Sequence, residues 1–335
     1  MTLAERLAAY LTRTNGVPTQ VEDLRRIYGG ASRETYRYEA IADGVRQGFI
    51  LRRDPPGSLI ETDRRAEFLA IRSFAGKSVG APEAVLLETL GAELERPFFI
   101  MRRAEGGVSG SIFNARPYGS HGPSIGRQFF TFLGRIAAEP IDGLPLCEAV
   151  ERPARGECWR RELDYWTGVI DADEQQPQPI VRAAIRRLYR APPPPAAKIS
   201  VVHGDYRSGN FLHDGAGEIV AILDWEMAHL GDPLEDLAWA LDPLWSHPQG
   251  DTVSGMVSQA DAVAIWEDTS GLTVDPAALA WWRLFASVKA QAIWISSAKA
   301  WRDGGMTEPI LAFSGWFTAR RQDEILASHL AGLGA

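Results

Sequence analysis

Apolar positions in the first hundred residues follow two rhythms. Residues 3 to 13 repeat at helical spacing, and then period-two stretches run through Val21 to Ile27, Glu34 to Ile41 and Gln47 to Arg53, with Gly29, Gly30, Asp43 and Gly44 at the turns. From about Asp63 to Phe74 the helical spacing returns, with Glu67, Ala70, Ile71 and Phe74 on one face, so a carboxylate shares the apolar side. Two more strands are expected near Ala84 to Leu87 and Pro97 to Arg102. The pattern predicts a small antiparallel sheet crossed by one helix.

Beyond it the rhythm changes. Gly106 to Gly126 is rich in Gly, Ser, Pro and Asn without periodicity and predicts a long loop. Patterns apolar on one side then predict helices at Ile125 to Ala138, Cys158 to Ile170, Pro179 to Tyr189, Pro233 to Leu241, Gln259 to Asp268, Pro276 to Ala300 and Thr307 to Leu333. The run Pro192 to Pro195 cannot be helical and reads as an extended connector. Of the eleven tryptophans, eight follow Glu226, and Trp281, Leu284, Phe285, Val288, Ala292 and Ile295 recur as a core-facing stripe.

Composition narrows the classes. With 335 residues, 45% hydrophobic and 23% charged, the chain can build two lobes around a cleft. The most aromatic segment, Trp281 to Ser297, is broken by Arg283, Lys289 and Gln291, so no membrane span is expected. Met1 to Arg6 has an acidic residue and a helical rhythm where an export signal would have a basic flank, and Cys147 and Cys158 are too few for a disulfide framework. A cytoplasmic location is the expectation. A net charge of -8 argues against a general nucleic-acid surface, so a bound polyphosphate would need local basic groups, backbone N–H and metal.

The chemistry-bearing segment follows the proline run. Val201 and Val202 form a short apolar strand; His203, Gly204, Asp205, Tyr206, Arg207, Ser208, Gly209 and Asn210 form a polar loop; and Phe211 begins another strand. His213 to Gly217 has turn composition, and Glu218 to Leu223 is a strand ending in Asp224, Trp225 and Glu226. If these strands pair as a hairpin, the Asn210 amide and the Asp224 carboxylate converge. Phosphoryl transfer needs such a set, because the protein supplies position and charge stabilisation while magnesium takes hard oxygen ligands. Asp205 would face an acceptor hydroxyl and receive its proton.

His203, Gly204, Asp205 with Asn210, followed by Ile222, Leu223, Asp224 and Trp225, resembles the catalytic and metal loops of the aminoglycoside phosphotransferase and choline kinase group, relatives of the protein kinases. The resemblance implies an α+β, protein-kinase-like fold, with a nucleotide-binding lobe over 1–104, a hinge near 99–104 and a helical lobe over 105–335. It implies ATP, with GTP as an alternative, and Mg2+ as cofactors. By likeness Asp205 is the catalytic base, Asn210 and Asp224 hold the metal, and His203 and Asp236 support the loop from behind. Gly29, Gly30, Ala31 and Ser32 resemble the loop over the nucleotide phosphates, and Ile100 and Met101 fall in the segment resembling the hinge. Arg52 stands where the family usually has a phosphate-pairing lysine, with Glu67 as its partner. Leu51, Arg52, Arg53 with Pro55, Pro56 and Gly57 is most similar to phosphotransferases associated with acyl-CoA dehydrogenases.

Blander readings stand beside these. Asp205 and Asn210 are common turn residues, Gly29 and Gly30 suit a plain hairpin, and Arg64 and Arg65 offer Glu67 ordinary surface partners. Asp232, Pro233 and Glu235 read as a variant capping box before the helix that carries Asp236. Two other functions fit the residues: a nucleotide-binding pseudokinase, motivated by Arg52, and an aminoglycoside or macrolide kinase. A polycationic acceptor would want the carboxylates of Asp242, Asp251, Asp261, Glu267 and Asp268; the tryptophans favour a less charged hydroxylated metabolite.

Overall fold

Thr2 opens the first helix by accepting the Glu5 N–H while Glu5 reaches back to the Thr2 N–H, a reciprocal cap that starts α1 (Leu3–Asn15). In the computed structural model, which describes residues 1–27, 34–54, 63–110, 114, 116–246, 251–304 and 308–332, this helix lies on a five-stranded antiparallel sheet. Its strands are β1 (Thr19–Ile27), β2 (Glu34–Ala42), β3 (Val45–Arg53), β4 (Ala84–Glu88) and β5 (Phe98–Arg102), in the order β1-β2-β3-β5-β4. One sheet face packs Tyr38, Leu51, Phe98 and Ile100 against Leu7 and Leu11 of α1. On the other, Ile50, Phe99 and Met101 join Phe68 and Ile71 of α2 (Arg64–Ser73) and Phe74, which caps it, in the main core.

Strand alternation therefore separates neighbours in sequence. Ile50 and Arg52 share the face toward the helical part, while Leu51 between them turns to α1. The same rule divides the two residues expected at the hinge: Met101 lines the interlobe cleft, whereas Ile100 is buried under α1. The Ile100 side chain therefore belongs to the core, which leaves the hinge expectation to the backbone of this segment.

The segment expected as a long loop, Gly106 to Gly126, carries regular structure among its described residues. It contains β6 (Val108–Ser109), and α3 (Gly122–Ala138) starts before the expected Ile125. Helices α4 (Cys158–Asp173) and α5 (Pro179–Arg190) follow, then β7 (Ser200–Val202), β8 (Phe211–His213), β9 (Ile219–Ile222), β10 (His229–Gly231) and α6 (Leu234–Ala240). β8 pairs with β6 and β9, and β7 pairs with β10. Helices α7 (Gln259–Ser270) and α8 (Pro276–Arg302) complete the core around Trp266, Trp281, Trp282 and Phe285. The last helix, expected to be continuous, is α9 (Pro309–Phe313) joined through a π turn at Ser314–Thr318 to α10 (Ala319–Gly332). Gly315 lies in that turn, where a Cβ would stand 2.6 Å from the Ala298 backbone, so close contact with α8 accompanies the irregularity. No helix among the described residues is long and apolar enough to cross a membrane.

Candidate active site

The loop between β7 and β8 turns sharply at Gly204, whose φ is +84° and where a Cβ would lie 2.4 Å from the Met227 carbonyl oxygen. Asp236 of α6 holds this bend from behind, accepting the His203 N–H at 2.5 Å and the Gly204 N–H at 2.9 Å. Burial pushes its carboxyl up to about 6, against the pull of those two N–H groups. His203 ties the loop to the next one: its Nδ1 accepts the Asp205 N–H, and its Nε2–H donates to the Leu223 carbonyl at 2.9 Å. Full burial lowers its pKa to about 4, so the ring is neutral at pH 7 and serves as a strut.

The strands bring the two oxygen donors together. Phe211 of β8 faces Ile222 of β9, and the Leu223 N–H donates to the Asn210 carbonyl at 2.7 Å, so Asn210 and Asp224 meet at the open end of the hairpin. Asp224 sits in the left-handed region, φ +59°, a conformation that costs an aspartate energy and occurs at constrained sites. Asn210 spends its amide Nδ2 on Asp205, reaching the backbone carbonyl at 2.9 Å and Oδ2 at 2.5 Å. Its amide oxygen thus remains an acceptor beside a carboxylate that is 42% exposed. One amide oxygen and one carboxylate are hard donors that suit a magnesium ion retaining water and phosphate ligands.

Asp205 is held on three sides. Its Oδ1 accepts the Arg207 Nε–H at 3.0 Å and the Trp239 indole N–H at 2.9 Å, and its Oδ2 accepts Asn210. Trp239 stands one turn beyond Asp236 on α6, so one helix face supports both the loop backbone and its central carboxylate.

Arg52 reaches the same place from the sheet. Its Nη1 donates to Asp224 Oδ1 at 2.6 Å, its Nη2 donates to Glu226 at 3.0 Å, and its Nε lies 3.1 Å from Glu67 of α2. Burial opposes the Arg52 charge, but Glu67, Asp224 and Glu226 together raise its pKa further. Partial loss of water in the cleft would raise the Asp224 carboxyl, exposed on one side as it is, yet Arg52 holds it below the usual aspartate range. Above this group opens a cleft of about 800 Å3, lined by Ile50, Arg52, Met101, Leu212, Leu223 and Asp224 among others. Gly29, Gly30, Ala31 and Ser32 lie outside the described residues.

Several contributors were not visible in the sequence pattern. Glu226 adjoins Asp224 and was legible only as part of the metal loop. Glu235, expected to close a capping box, is 2% exposed and pairs instead with Lys289 of α8 and with His229, while Asp232 alone caps the Leu234 N–H. Lys289 also donates to the Gly204 carbonyl at 2.7 Å, so the buried pair braces the loop beneath Asp205. Glu162, His229 and Glu235 present atoms close enough to ligate an ion, but Lys289 and a protonated His229 already balance the two carboxylates.

That balance has a pH signature. Burial disfavours the His229 charge, but Glu162 and Glu235 outweigh it and push its pKa up to about 9 from 6.5. Because the folded value is the higher one, the stabilisation is complete below 6.5 and is lost as the pH rises through 9. Denaturation free energies should fall across this interval by about 3 kcal/mol. His229→Gln should lack that part of the slope; an unchanged slope in urea titrations would show that the imidazolium contributes nothing.

Comparison with known proteins was made on this geometry. The model of the phosphotransferase enzyme family matches residues 23–272. Mouse acyl-CoA dehydrogenase family member 10 is 28% identical over 219 residues, covering 63% of this chain, which spans 19% of that relative's length. A Ralstonia eutropha structure named for the aminoglycoside phosphotransferases superposes with a TM-score of 0.74 at 21% identity over 97% of each chain. An aminoglycoside phosphotransferase in ternary complex with AMP-PNP and hygromycin B gives 0.60 at 18% identity, over 97% of this chain and 99% of that one. At these identities the structural likeness is one of fold, the kinase-like one.

Proposed function

This chain belongs to the phosphotransferase enzyme family, and from that premise we propose that it moves the γ-phosphate of ATP, or GTP, to a hydroxyl of a small molecule. The observation that carries the reading is the convergence of Asp205, Asn210 and Asp224 below a cleft edged by Arg52. The nucleotide's apolar base fits between Ile50 and Met101 from the sheet and Leu212 and Leu223 from the hairpin, with its phosphates toward Arg52. Asn210 and Asp224 would hold Mg2+, which when bound neutralises charge on the phosphate oxygens and orients them.

The chain's own residues account for the remaining steps. Asp205, fixed by Arg207, Trp239 and Asn210, accepts the hydroxyl proton as the acceptor oxygen bonds to phosphorus. The bond from phosphorus to the β–γ bridging oxygen breaks, and nucleoside diphosphate leaves. Arg52 orients phosphate with two-pronged geometry that a lysine lacks. Structures of similar fold are known with AMP-PNP and hygromycin B and with ADP and spectinomycin, which supports a nucleotide beside a hydroxylated acceptor.

A second reading, a nucleotide-binding regulator without turnover, draws on Arg52 occupying Asp224. One experiment separates the two. A screen of hydroxylated metabolites should yield acceptor-dependent, magnesium-dependent ADP or GDP formation; tight nucleotide binding with no turnover on any acceptor would select the regulator.

A further inference from the structure

The flank of Asp205 away from Asn210 carries a cation. Arg207 donates to Asp205 through Nε at 3.0 Å and to the Ser208 carbonyl through Nη1 at 3.1 Å, and its Cζ stands 4.7 Å from the Trp245 ring centroid. It is a quarter exposed, and among the described residues Asp205 is the one carboxylate within ion-pair distance of it. Trp245 continues an aromatic wall, 5.1 Å from Trp239 and 6.3 Å from Trp294 between ring centroids. Ser254 pins this indole to the loop, its hydroxyl donating to the Trp245 carbonyl at 2.7 Å while its oxygen lies 2.9 Å from the Ser208 hydroxyl, from which it can accept.

Of the five carboxylates expected to receive a polycationic acceptor, three are committed elsewhere, while Asp251 and Asp268 are exposed. Asp242 is 2% exposed and accepts from the Leu244 N–H and from Ser287. Asp261 is held by the cap residue Ser258, and Glu267 takes the Val274 N–H. The ground beside Asp205 thus offers a partly exposed guanidinium backed by the buried rings of Trp245 and Trp239, with its own carboxylate already balanced. A polycation would meet repulsion from Arg207 there, whereas an oxyanion would find a fork whose planar geometry matches it.

Resting on the kinase reading above, we propose that Arg207 recognises an oxyanion carried by the acceptor itself, so that the acceptors are anionic alcohols, bearing a carboxylate or a phosphate. Arg207 then exchanges part of its contact with Asp205 for the acceptor's anion, which sets the hydroxyl beside the base. This departs from the aminoglycoside expectation in the sign of the acceptor's charge.

The test follows ADP formation with hydroxy acids of increasing length, their methyl esters, matched amino alcohols, glycerol 3-phosphate, glycerol and kanamycin. Wild-type protein should favour acids over esters, or glycerol 3-phosphate over glycerol, by about tenfold or more in kcat/KM, the size of a charge-assisted hydrogen bond. The two pairs distinguish a carboxylate from a phosphate as the anion read. Because Arg207 also fixes Asp205, Arg207→Gln should lower kcat for every acceptor, and in addition it should erase the preference through a rise in KM confined to the anionic members; Arg207→Lys should keep part of the preference. Thermal unfolding checks both variants for folding. Equal use of esters, or a preference for amino alcohols or kanamycin, overturns the inference while leaving the kinase reading standing. So does an anion preference that survives in Arg207→Gln beside a fall in kcat shared by every acceptor, which would confine the guanidinium to Asp205 and the transferred phosphate. Silence in all arms, with nucleotide bound, removes the kinase reading and this inference together.

Discussion

Asp205→Asn should lose about 10²- to 10⁴-fold in kcat, the range for a positioned general base, while nucleotide binding persists. The amide keeps the side chain's shape, and its oxygen can still accept from Arg207 and Trp239 at the Oδ1 position. At the Oδ2 position, however, an NH2 group would face the Asn210 NH2, two donors 2.5 Å apart in the parent geometry. Asn210 must then turn or retreat, so the loss should exceed that of the proton acceptor alone. Asp224→Ala provides the contrast: it removes a phosphate-side oxygen donor, so magnesium-dependent nucleotide affinity should drop as well as turnover. Isothermal titration beside steady-state kinetics separates these patterns, and parent turnover in Asp205→Asn would exclude Asp205 as the base.

How much of this was legible in the sequence depends on the range of the interaction. Asn210 and Asp224 converge because a short hairpin closes between them, a local event that turn composition and two apolar strands announce. Arg52 with Glu67 was legible for a different reason: strand alternation and helix periodicity each assign a face, and both faces meet the same core. The same rule turns the Ile100 side chain to the opposite side of β5 from Met101, so alternation separates the two side chains without bearing on the backbone of the segment. Lys289 and Glu235 could not have been paired from the sequence. They are 54 positions apart on helices with broad apolar faces, and burying a lysine within an otherwise apolar stripe gives no sign of the carboxylate that compensates it. Glu235 also had a plausible local role as a cap partner, and a local reading displaces a distant one when only spacing is available. The π turn before α10 was hidden similarly, because helical periodicity across one extra residue shifts the apolar stripe only slightly.

Arg52→Ala should be the most destabilising single change in the cleft. It leaves Glu67, whose side chain is fully buried, facing Asp224 and Glu226 without the cation that joins them. Removing one partner of a buried ionic group typically costs about 3–5 kcal/mol, and here three carboxylates are left to repel one another. Without Arg52 the partial loss of water that raises the Asp224 carboxyl is less opposed, so its proton affinity increases and its readiness to meet a cation falls. Arg52→Lys is the sharper experiment, because it conserves charge while replacing a three-point fork by one ammonium that cannot reproduce the spread from Nε to both Nη atoms. The carboxylate left unmatched is expected to be Glu226, since Glu67 is fixed by α2 and Asp224 by the strained hairpin end. In the Arg52→Lys background, Glu226→Gln should therefore restore stability, with a coupling of about 1 kcal/mol or more in the double-mutant cycle, whereas in the parent the same substitution should destabilise. Additive effects would mean that arginine and Glu226 are independent features of this cleft. Non-additivity would explain why a chain bearing arginine at the lysine position also bears glutamate two residues after its metal-loop aspartate.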